Sequence, residues 1–259
     1  LFIHNTKELP ALESLDLRQM KRLTLKGLPF YEVVNLMELV YRVNRRQLAI
    51  TIDSYVGDMS SVLEHSLIKR AIDLKLDLKS EEIFYGTNIS VPQLRSLELY
   101  GDQGTLNAFN LQNLKNLKIW WNESFGLESL TMIPIRLTTL SLRNMVFSIE
   151  KIENQDPHFL PDLVTLCLKE TNLEAPLQRI FQVPQLKHLE IDEMTYRYQD
   201  IGTDLTPDVF FSPRLLNLEC LVLLNVLVDE SFIMEIQGYT NLKRLSKYSQ
   251  STVHLEGLP

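Results

Sequence analysis

Leucines and isoleucines recur along this chain in a short pattern of apolar and variable positions. The pattern is an apolar residue, two variable residues, a leucine, one variable residue and then a leucine or isoleucine. Because alternate residues of a strand face the same way, the last two apolar positions predict a short strand with one buried face. The six strong copies are Leu94/Leu97/Leu99, Leu114/Leu117/Ile119, Leu137/Leu140/Leu142, Leu163/Leu166/Leu168, Leu186/Leu189/Ile191 and Leu218/Leu221/Leu223.

The copies are spaced like structural repeats. From Leu94 to Leu242 the first positions of successive copies are 20, 23, 26, 23, 32 and 24 residues apart. The step of 32 predicts an insertion near 196–213. Repeats of this length pack mainly against their neighbours, so we expect one domain of about ten repeats over 1–259, with an atypical capping repeat at 242–259. Weaker copies are predicted at Met20/Leu23/Leu25, Leu48/Ile50, Ala71/Leu74/Leu76 and Leu242/Leu245.

The segments between the strands favour helices in two places. Apolar residues at helical spacing run from Phe30 to Tyr41 and from Met59 to Leu67. Prolines precede several strands, as expected where a helix stops and an extended segment begins. These are Pro92, Pro134, Pro161 and Pro184.

The motifs resemble the leucine-rich-repeat superfamily from about Met20 to Leu245. The resemblance implies an α/β fold: a right-handed horseshoe solenoid with one parallel β-sheet on the concave face and irregular helices on the convex face. The family's usual repeat carries Asn or Cys three residues after the last strand leucine, and of the copies here only that with Asn122 has it. With their irregular lengths and few of these asparagines, the repeats resemble leucine-rich repeats of the intracellular type, most of all the repeat domain of fungal F-box proteins.

This resemblance implies a protein-protein recognition module, the substrate-binding part of an F-box-type ubiquitin-ligase adaptor. The F-box, which binds the rest of the ligase, is expected in a segment preceding Leu1, because the chain opens without a methionine. Two alternatives stay open. One is the ligand-sensing repeat domain of an intracellular immune or signalling receptor, and the other is a structural scaffold subunit.

In such a solenoid the variable strand residues point out of the concave face and form the expected protein-binding surface. Neighbouring strands lie about 4.8 Å apart, so Tyr100, Trp120 and Arg143 would be adjacent in one row. Tyr, Trp and Arg are the residues that most often dominate binding energy at interfaces. The predicted protein-binding residues are Tyr100, Trp120, Arg143, Lys169 and Asp192 just after the last strand leucine or isoleucine, and Glu98, Lys118 and Glu190 just before it.

Composition narrows the partner and the compartment. The net charge of -7 argues against nucleic acid, because a DNA-binding protein needs surplus Lys and Arg to displace counterions from phosphates. No apolar run reaches the roughly 20 residues of a membrane-spanning helix, so no membrane partner is expected. Two cysteines are too few for a disulfide framework and favour a cytoplasmic or nuclear protein.

The sequence predicts no enzyme, no cofactor and no metal site. The five histidines are scattered, none at metal-ligand spacing, and nucleotide-binding glycine motifs are missing. Cys167, His188 and Glu190 fall on adjacent strands and suggest a nucleophile with its base, but an open sheet offers no pocket or oxyanion donors. Cys167 and Cys220 lie two strands apart, about 10 Å, which is beyond disulfide reach.

Overall fold

The computed structural model is a mixed α/β structure whose strands are mostly parallel. It describes residues 1–3, 16–54, 59–78, 89–101, 106, 109–121, 133–147, 156–173, 177–192, 195–196, 217–226 and 239–248. The chain divides into two compact units, 1–122 and 123–259. The single domain expected from the repeats stays a prediction, and most of the expected insertion at 196–213 and of the expected cap at 242–259 lies outside the described residues.

The first unit is built on a ladder of parallel strands in the order β1-β2-β3-β4-β6-β8. A smaller pair, β5 with β7, lies in the segments that precede β6 and β8. Its described strands and helices are β1 (Phe2–Ile3), β2 (Arg22–Lys26), α1 (Phe30–Val43), β3 (Leu48–Ser54), α2 (Met59–Glu64), β4 (Ala71–Leu78), β5 (Ile89–Ser90), β6 (Ser96–Gly101), β7 (Phe109–Asn110) and β8 (Asn116–Trp121), with 3-10 turns at Leu17–Gln19 and Ile68–Arg70.

The second unit repeats this plan with the parallel order β9-β12-β15-β17-β18. Two smaller ladders flank it: β10-β13-β16 follows the main strands, and β11-β14 precedes them. The elements are β9 (Thr139–Arg143), β10 (Val146–Phe147), β11 (His158–Phe159), β12 (Thr165–Lys169), β13 (Asn172–Leu173), α3 (Leu177–Ile180), β14 (Phe181–Gln182), β15 (His188–Asp192), β16 (Thr195–Tyr196), β17 (Cys220–Leu224) and β18 (Arg244–Tyr248).

The strand pairing confirms the positions predicted for the six strong copies. Leu97 pairs with Leu117, and Leu140, Leu166, Leu189 and Leu221 follow one another across the second ladder. These side chains are almost completely buried. Burying each leucine contributes about 1.5–3 kcal/mol, so the stacked leucines are the main stabilising term of both ladders.

The structure differs from the predicted repeats in the register of one strand and in one additional strand. Thr24 pairs with Thr51, so Ile50 and Ile52 are the buried strand positions, two residues later than the predicted Leu48/Ile50. Leu48, Ile50 and Ile52 are all buried, which is why alternation alone leaves that choice open. The structure also adds β1, which the repeat pattern did not cover.

A tight turn leads into most of the main strands. The backbone N–H of the first motif leucine donates to the carbonyl three residues earlier, as Leu94 does to Val91 over 3.0 Å and Leu186 to Val183 over 3.2 Å. Pro92 and Pro184 occupy the second position of these turns, where the fixed φ of proline fits. These prolines therefore open turns, and the expectation that they stop helices is wrong.

Within the residues that the structure describes, helices are fewer than the predicted convex layer requires. Helices lie at both expected places, at Phe30–Val43 and Met59–Glu64, although the second ends three residues before Leu67, where the predicted helical spacing stops. In the described connections of the second unit, however, the four residues of α3 are the one helix, and two-residue strands and turns occupy the rest. The described parts of those connections include short strands that pair in ladders of their own.

The residue directly after a main strand repeatedly adopts a left-handed conformation. Gly27, Asn144, Glu170 and Asn225 have φ between 48° and 59°. Glycine and asparagine tolerate this region, whereas Glu170 is strained there. The N–H groups of Gly27, Asn144 and Glu170 each donate to a carbonyl of the next strand, which continues the ladder through the turn.

Asn44 fixes the end of α1 to the segment before β2. Its side chain is fully buried, and its Nδ2 donates to the carbonyls of Leu17 and Met20 over 2.7 and 2.9 Å. Its Oδ1 accepts from the Arg46 N–H, and its carbonyl accepts from Arg70 Nη1. One polar side chain thus satisfies several backbone groups that are remote from water.

Asn44→Ala should lower the free energy of unfolding by about 2–4 kcal/mol, because it leaves buried carbonyls and an N–H without partners. Urea unfolding followed by circular dichroism measures the change. Asn35→Ala, on the exposed side of α1, is the matched control and should change stability by less than about 1 kcal/mol. Equal effects of the two substitutions would contradict the role assigned to Asn44.

Candidate functional site

The partly exposed face of each main ladder is opposite to the face that buries the leucines. Along β6, Leu97 and Leu99 are buried while Glu98 and Tyr100 are partly exposed. The same alternation holds along β12, β15 and β17. All eight predicted protein-binding residues lie on this face, four of them in each unit.

In the first unit the predicted residues form a close cluster around a lysine. We call Lys75, Glu98, Tyr100 and Trp120 the aromatic cluster. Lys75 Nζ donates to Glu98 Oε1 over 2.6 Å and to Tyr100 Oη over 3.1 Å. Tyr100 Oη donates to the same carboxylate oxygen over 2.8 Å. The charged groups therefore hold the tyrosine ring in one position.

The two rings and the ammonium group also contact each other directly. The Tyr100 and Trp120 ring centroids are 3.8 Å apart with the rings inclined at 72°. Lys75 Nζ lies 4.7 Å from the Tyr100 centroid and 5.7 Å from that of Trp120, within the range of cation–π attraction. The register explains this, because Lys75 pairs with Glu98 and Tyr100 pairs with Trp120 on successive strands.

Hydrogen bonding and burial shift the ionisation of the cluster. Burial, aided by the Glu98 carboxylate, raises the pKa of Tyr100 to about 12. Burial by itself would raise the pKa of Glu98, but the hydrogen bonds from Lys75 and Tyr100 outweigh it and lower that pKa. The neighbouring Lys118 lowers it further, although its own side chain is exposed. At neutral pH Tyr100 is therefore neutral and Glu98 charged.

In the second unit the predicted residues Arg143, Lys169 and Asp192 form one row across β9, β12 and β15. Lys169 Nζ lies 2.6 Å from Glu190 Oε1 and 4.0 Å from Asp192 Oδ2. The hydrogen bond to Glu190 is the main cause of a raised pKa for Lys169. Lys169 therefore joins the two predicted carboxylates into one charged group.

Arg143 pairs with a residue that the sequence did not single out. Its Nε donates to Glu170 Oε2 over 3.0 Å, and its Nη2 pairs with the other oxygen of the same carboxylate. This hydrogen bonding lowers the pKa of Glu170. Glu170 lies at the strained left-handed position after β12, and its carboxylate faces Arg143 on the neighbouring strand β9.

Two further features escaped the sequence analysis. Lys75 directly precedes the last apolar residue of its repeat copy, as Glu98 does, but the sequence has no local signal that separates it from other lysines. Glu219 lies between Lys187 and Lys243, at 2.9 and 2.7 Å, and their hydrogen bonds lower its pKa to about 2. Glu219 is partly exposed and directly precedes β17, so these three residues form a further charged row beside the predicted ones.

Cys167, His188 and Glu190 come together as their strand positions suggested. Cys167 pairs with Glu190 across β12 and β15, and His188 lies two residues before Glu190 on the same face. Their sulfur, nitrogen and oxygen atoms all lie within 4.8 Å of one another. Cys167 and Cys220 form no disulfide bond, as the register predicts. The prediction of no metal site rested on the spacing of ligands in the sequence and did not consider these three side chains together as metal ligands.

Comparisons with protein families, with curated proteins and with solved structures each find no match to this chain. Within the described residues, none of the helices has both the length and the apolar character needed to span a membrane. The candidate sites therefore stand on their own geometry.

The aromatic cluster makes stability depend on pH through Glu98. A carboxyl whose pKa is lowered on folding stabilises the protein above its ordinary pKa of 4.5, and this contribution disappears as the pH falls through the folded-state value. Glu98→Gln should therefore lower the free energy of unfolding by about 1 kcal/mol at pH 7. The difference from the unsubstituted chain should shrink steadily below about pH 4.5.

Urea unfolding at pH 7, 5, 4 and 3 measures this difference. Glu64→Gln, at an exposed position of α2, is the control, and its difference should stay near zero throughout. A Glu98→Gln effect that is constant with pH would contradict the pairing with Lys75 and Tyr100.

Proposed function

We propose that this chain is a leucine-rich-repeat solenoid that recognises a protein partner on the polar face of its parallel strands. The observation that supports this most is the register: motif leucines from successive repeats pair with one another and are buried, so the variable residues line up on the other face. A sheet built in this way offers rows of side chains on a fixed backbone, which suits recognition of an extended surface.

The aromatic cluster is the proposed centre of recognition in the first unit. Tyr100 and Trp120 supply large apolar surfaces, and their rings are held by each other and by Lys75. Side chains that are ordered before binding lose little conformational entropy when a partner arrives. Central tyrosine and tryptophan residues surrounded by charged groups are typical of the few positions that carry most binding energy.

Binding accounts for this face better than catalysis does. The carboxylate of Glu98 is shared between Lys75 and Tyr100, and a tyrosine with a pKa of about 12 does not exchange its proton readily near neutral pH. In the second unit the charged groups pair with one another across neighbouring strands. We therefore propose that the module recognises a partner and leaves chemistry to other proteins.

The irregular repeats suggest a more specific role, the substrate-binding part of an F-box-type ubiquitin-ligase adaptor in the cytoplasm or nucleus. Capture of the ligase's adaptor subunit by the full gene product tests this role. Copurification in a defined ratio supports it. If purified adaptor subunit does not bind the full gene product, the ubiquitin-ligase role fails, while protein recognition by the repeats is tested separately.

Trp120→Ala should weaken partner binding strongly while leaving the fold intact. Loss of a central aromatic side chain costs about 2 kcal/mol or more, equivalent to about 30-fold weaker binding. Affinity capture from cells with quantitative mass spectrometry identifies the proteins retained by the unsubstituted chain, and titration of the purified partner then measures the affinity.

Tyr31→Ala is the matched control, because Tyr31 is a 62% exposed aromatic residue on α1, away from the ladder face. It should leave partner binding unchanged. Thermal unfolding of both variants shows whether Trp120 belongs to the surface or to the core. A large fall in the unfolding temperature of Trp120→Ala, absent from Tyr31→Ala, would assign Trp120 to the core. A partner that binds Trp120→Ala normally would contradict the proposed surface.

A further inference from the structure

Three side chains with different metal-binding atoms converge on the partly exposed face of the second unit. They are the thiol of Cys167, the imidazole of His188 and the carboxylate of Glu190. We propose that these residues bind one Zn²⁺ ion, with water in the fourth position. This site is independent of the proposed recognition function, since it rests on the ligand atoms alone.

The distances are close to those that a zinc ion requires. Cys167 Sγ lies 3.8 Å from Glu190 Oε2, and His188 Nε2 lies 4.0 Å from the same oxygen. Zinc bonds of about 2.3 Å to sulfur and about 2.0–2.1 Å to nitrogen and oxygen place tetrahedral ligand atoms about 3.3–3.5 Å apart. These two separations have to shorten by about half an ångström to match a tetrahedral zinc ion. The third, between Cys167 Sγ and the His188 imidazole, lies within 4.8 Å.

The backbone of the site is fixed before any metal arrives. Cys167 and Glu190 are partners in the parallel ladder, and His188 and Glu190 are two residues apart on β15, so all three project from one face. The residues that flank Cys167 and Glu190 along their strands are buried on the opposite face: Leu166, Leu168, Leu189 and Ile191. This rigid arrangement reduces the ordering that binding requires.

The set of donor atoms favours zinc over harder cations. A thiolate and an imidazole suit Zn²⁺, whereas Ca²⁺ and Mg²⁺ take oxygen ligands. Three protein ligands and one water form the usual coordination of an open zinc site. On binding, Zn²⁺ replaces the thiol proton, which passes to solvent, and the thiolate and carboxylate together balance the charge of the ion.

Lys169 binds one oxygen of the Glu190 carboxylate and leaves the other, Oε2, accessible to the ion. Its Nζ binds Glu190 Oε1 over 2.6 Å, while Oε2 is the oxygen that faces Cys167 and His188. Lys169 therefore orients the carboxylate in the way that outer-shell groups orient metal ligands.

Cys220 does not belong to the same site, although it lies next to His188 in the ladder. Its strand is two steps from that of Cys167, about 10 Å across the sheet, and it is also displaced along the strands. Two zinc–sulfur bonds of about 2.3 Å cannot span that separation. The chain thus contains its own matched control for nonspecific binding by a thiol.

Titration of the reduced, metal-free full chain with Co²⁺ tests the proposal, because tetrahedral cobalt with a thiolate ligand absorbs in both the visible and the near ultraviolet. One equivalent of Co²⁺ should produce both bands, and Zn²⁺ should remove them by displacement. Cys167→Ser and His188→Ala should weaken Zn²⁺ binding more than the 10–100-fold typical of outer-shell changes. Cys220→Ser should bind as the unsubstituted chain does.

Each other outcome overturns the site. Absence of the sulfur-to-cobalt band, or loss of the band in Cys220→Ser, excludes the proposed ligand set. Circular dichroism shows whether the variants fold. If a ligand variant does not fold, X-ray absorption of the unsubstituted zinc-loaded chain decides: one sulfur and three nitrogen or oxygen neighbours support the site, and two sulfurs or none exclude it.

Discussion

The in-register pairing of short parallel strands is the constraint on which the rest of the structure depends. Pairing places equivalent positions of successive repeats about 4.8 Å apart, although they are 20 or more residues apart in sequence. Leucines then stack with leucines on one face, and variable residues stack with variable residues on the other. The same hydrogen bonds that organise the core therefore decide which polar side chains become neighbours.

The register of most strands could be predicted because burial selects one alternate set of residues. Leu97 and Leu99 are buried and their neighbours are not, so a shift by one residue would expose two leucines. β3 shows the limit of this reasoning. Leu48, Ile50 and Ile52 all satisfy the buried positions, and the pairing with β2 and β4 places Ile50 beside Leu23 and Leu74. Two registers that differ by two residues bury the same face, so the apolar pattern does not distinguish them.

The members of the candidate surface could be predicted, whereas their contacts could not. Positions beside the last strand leucine or isoleucine identify Glu98, Tyr100 and Trp120. The partner that a long charged side chain contacts, however, depends on its rotamer and on neighbouring turns. Lys75 reaches across one strand to complete the aromatic cluster. Arg143 pairs with Glu170, whose position is set by a left-handed backbone that glutamate rarely adopts.

The two units show how one backbone plan produces different chemistry from the residues placed on it. In the first unit the lysine, carboxylate and rings of the aromatic cluster satisfy one another, which leaves a rigid amphipathic surface on which Tyr100 is neutral and Glu98 charged at neutral pH. In the second unit Lys169 binds one oxygen of Glu190, and the other oxygen faces a thiol and an imidazole. The Glu98 carboxylate is occupied by its hydrogen bonds to Lys75 and Tyr100, so the first unit is suited to contact with a protein. The Glu190 carboxylate keeps one oxygen for a metal ion, so the second unit is suited to coordination of an ion.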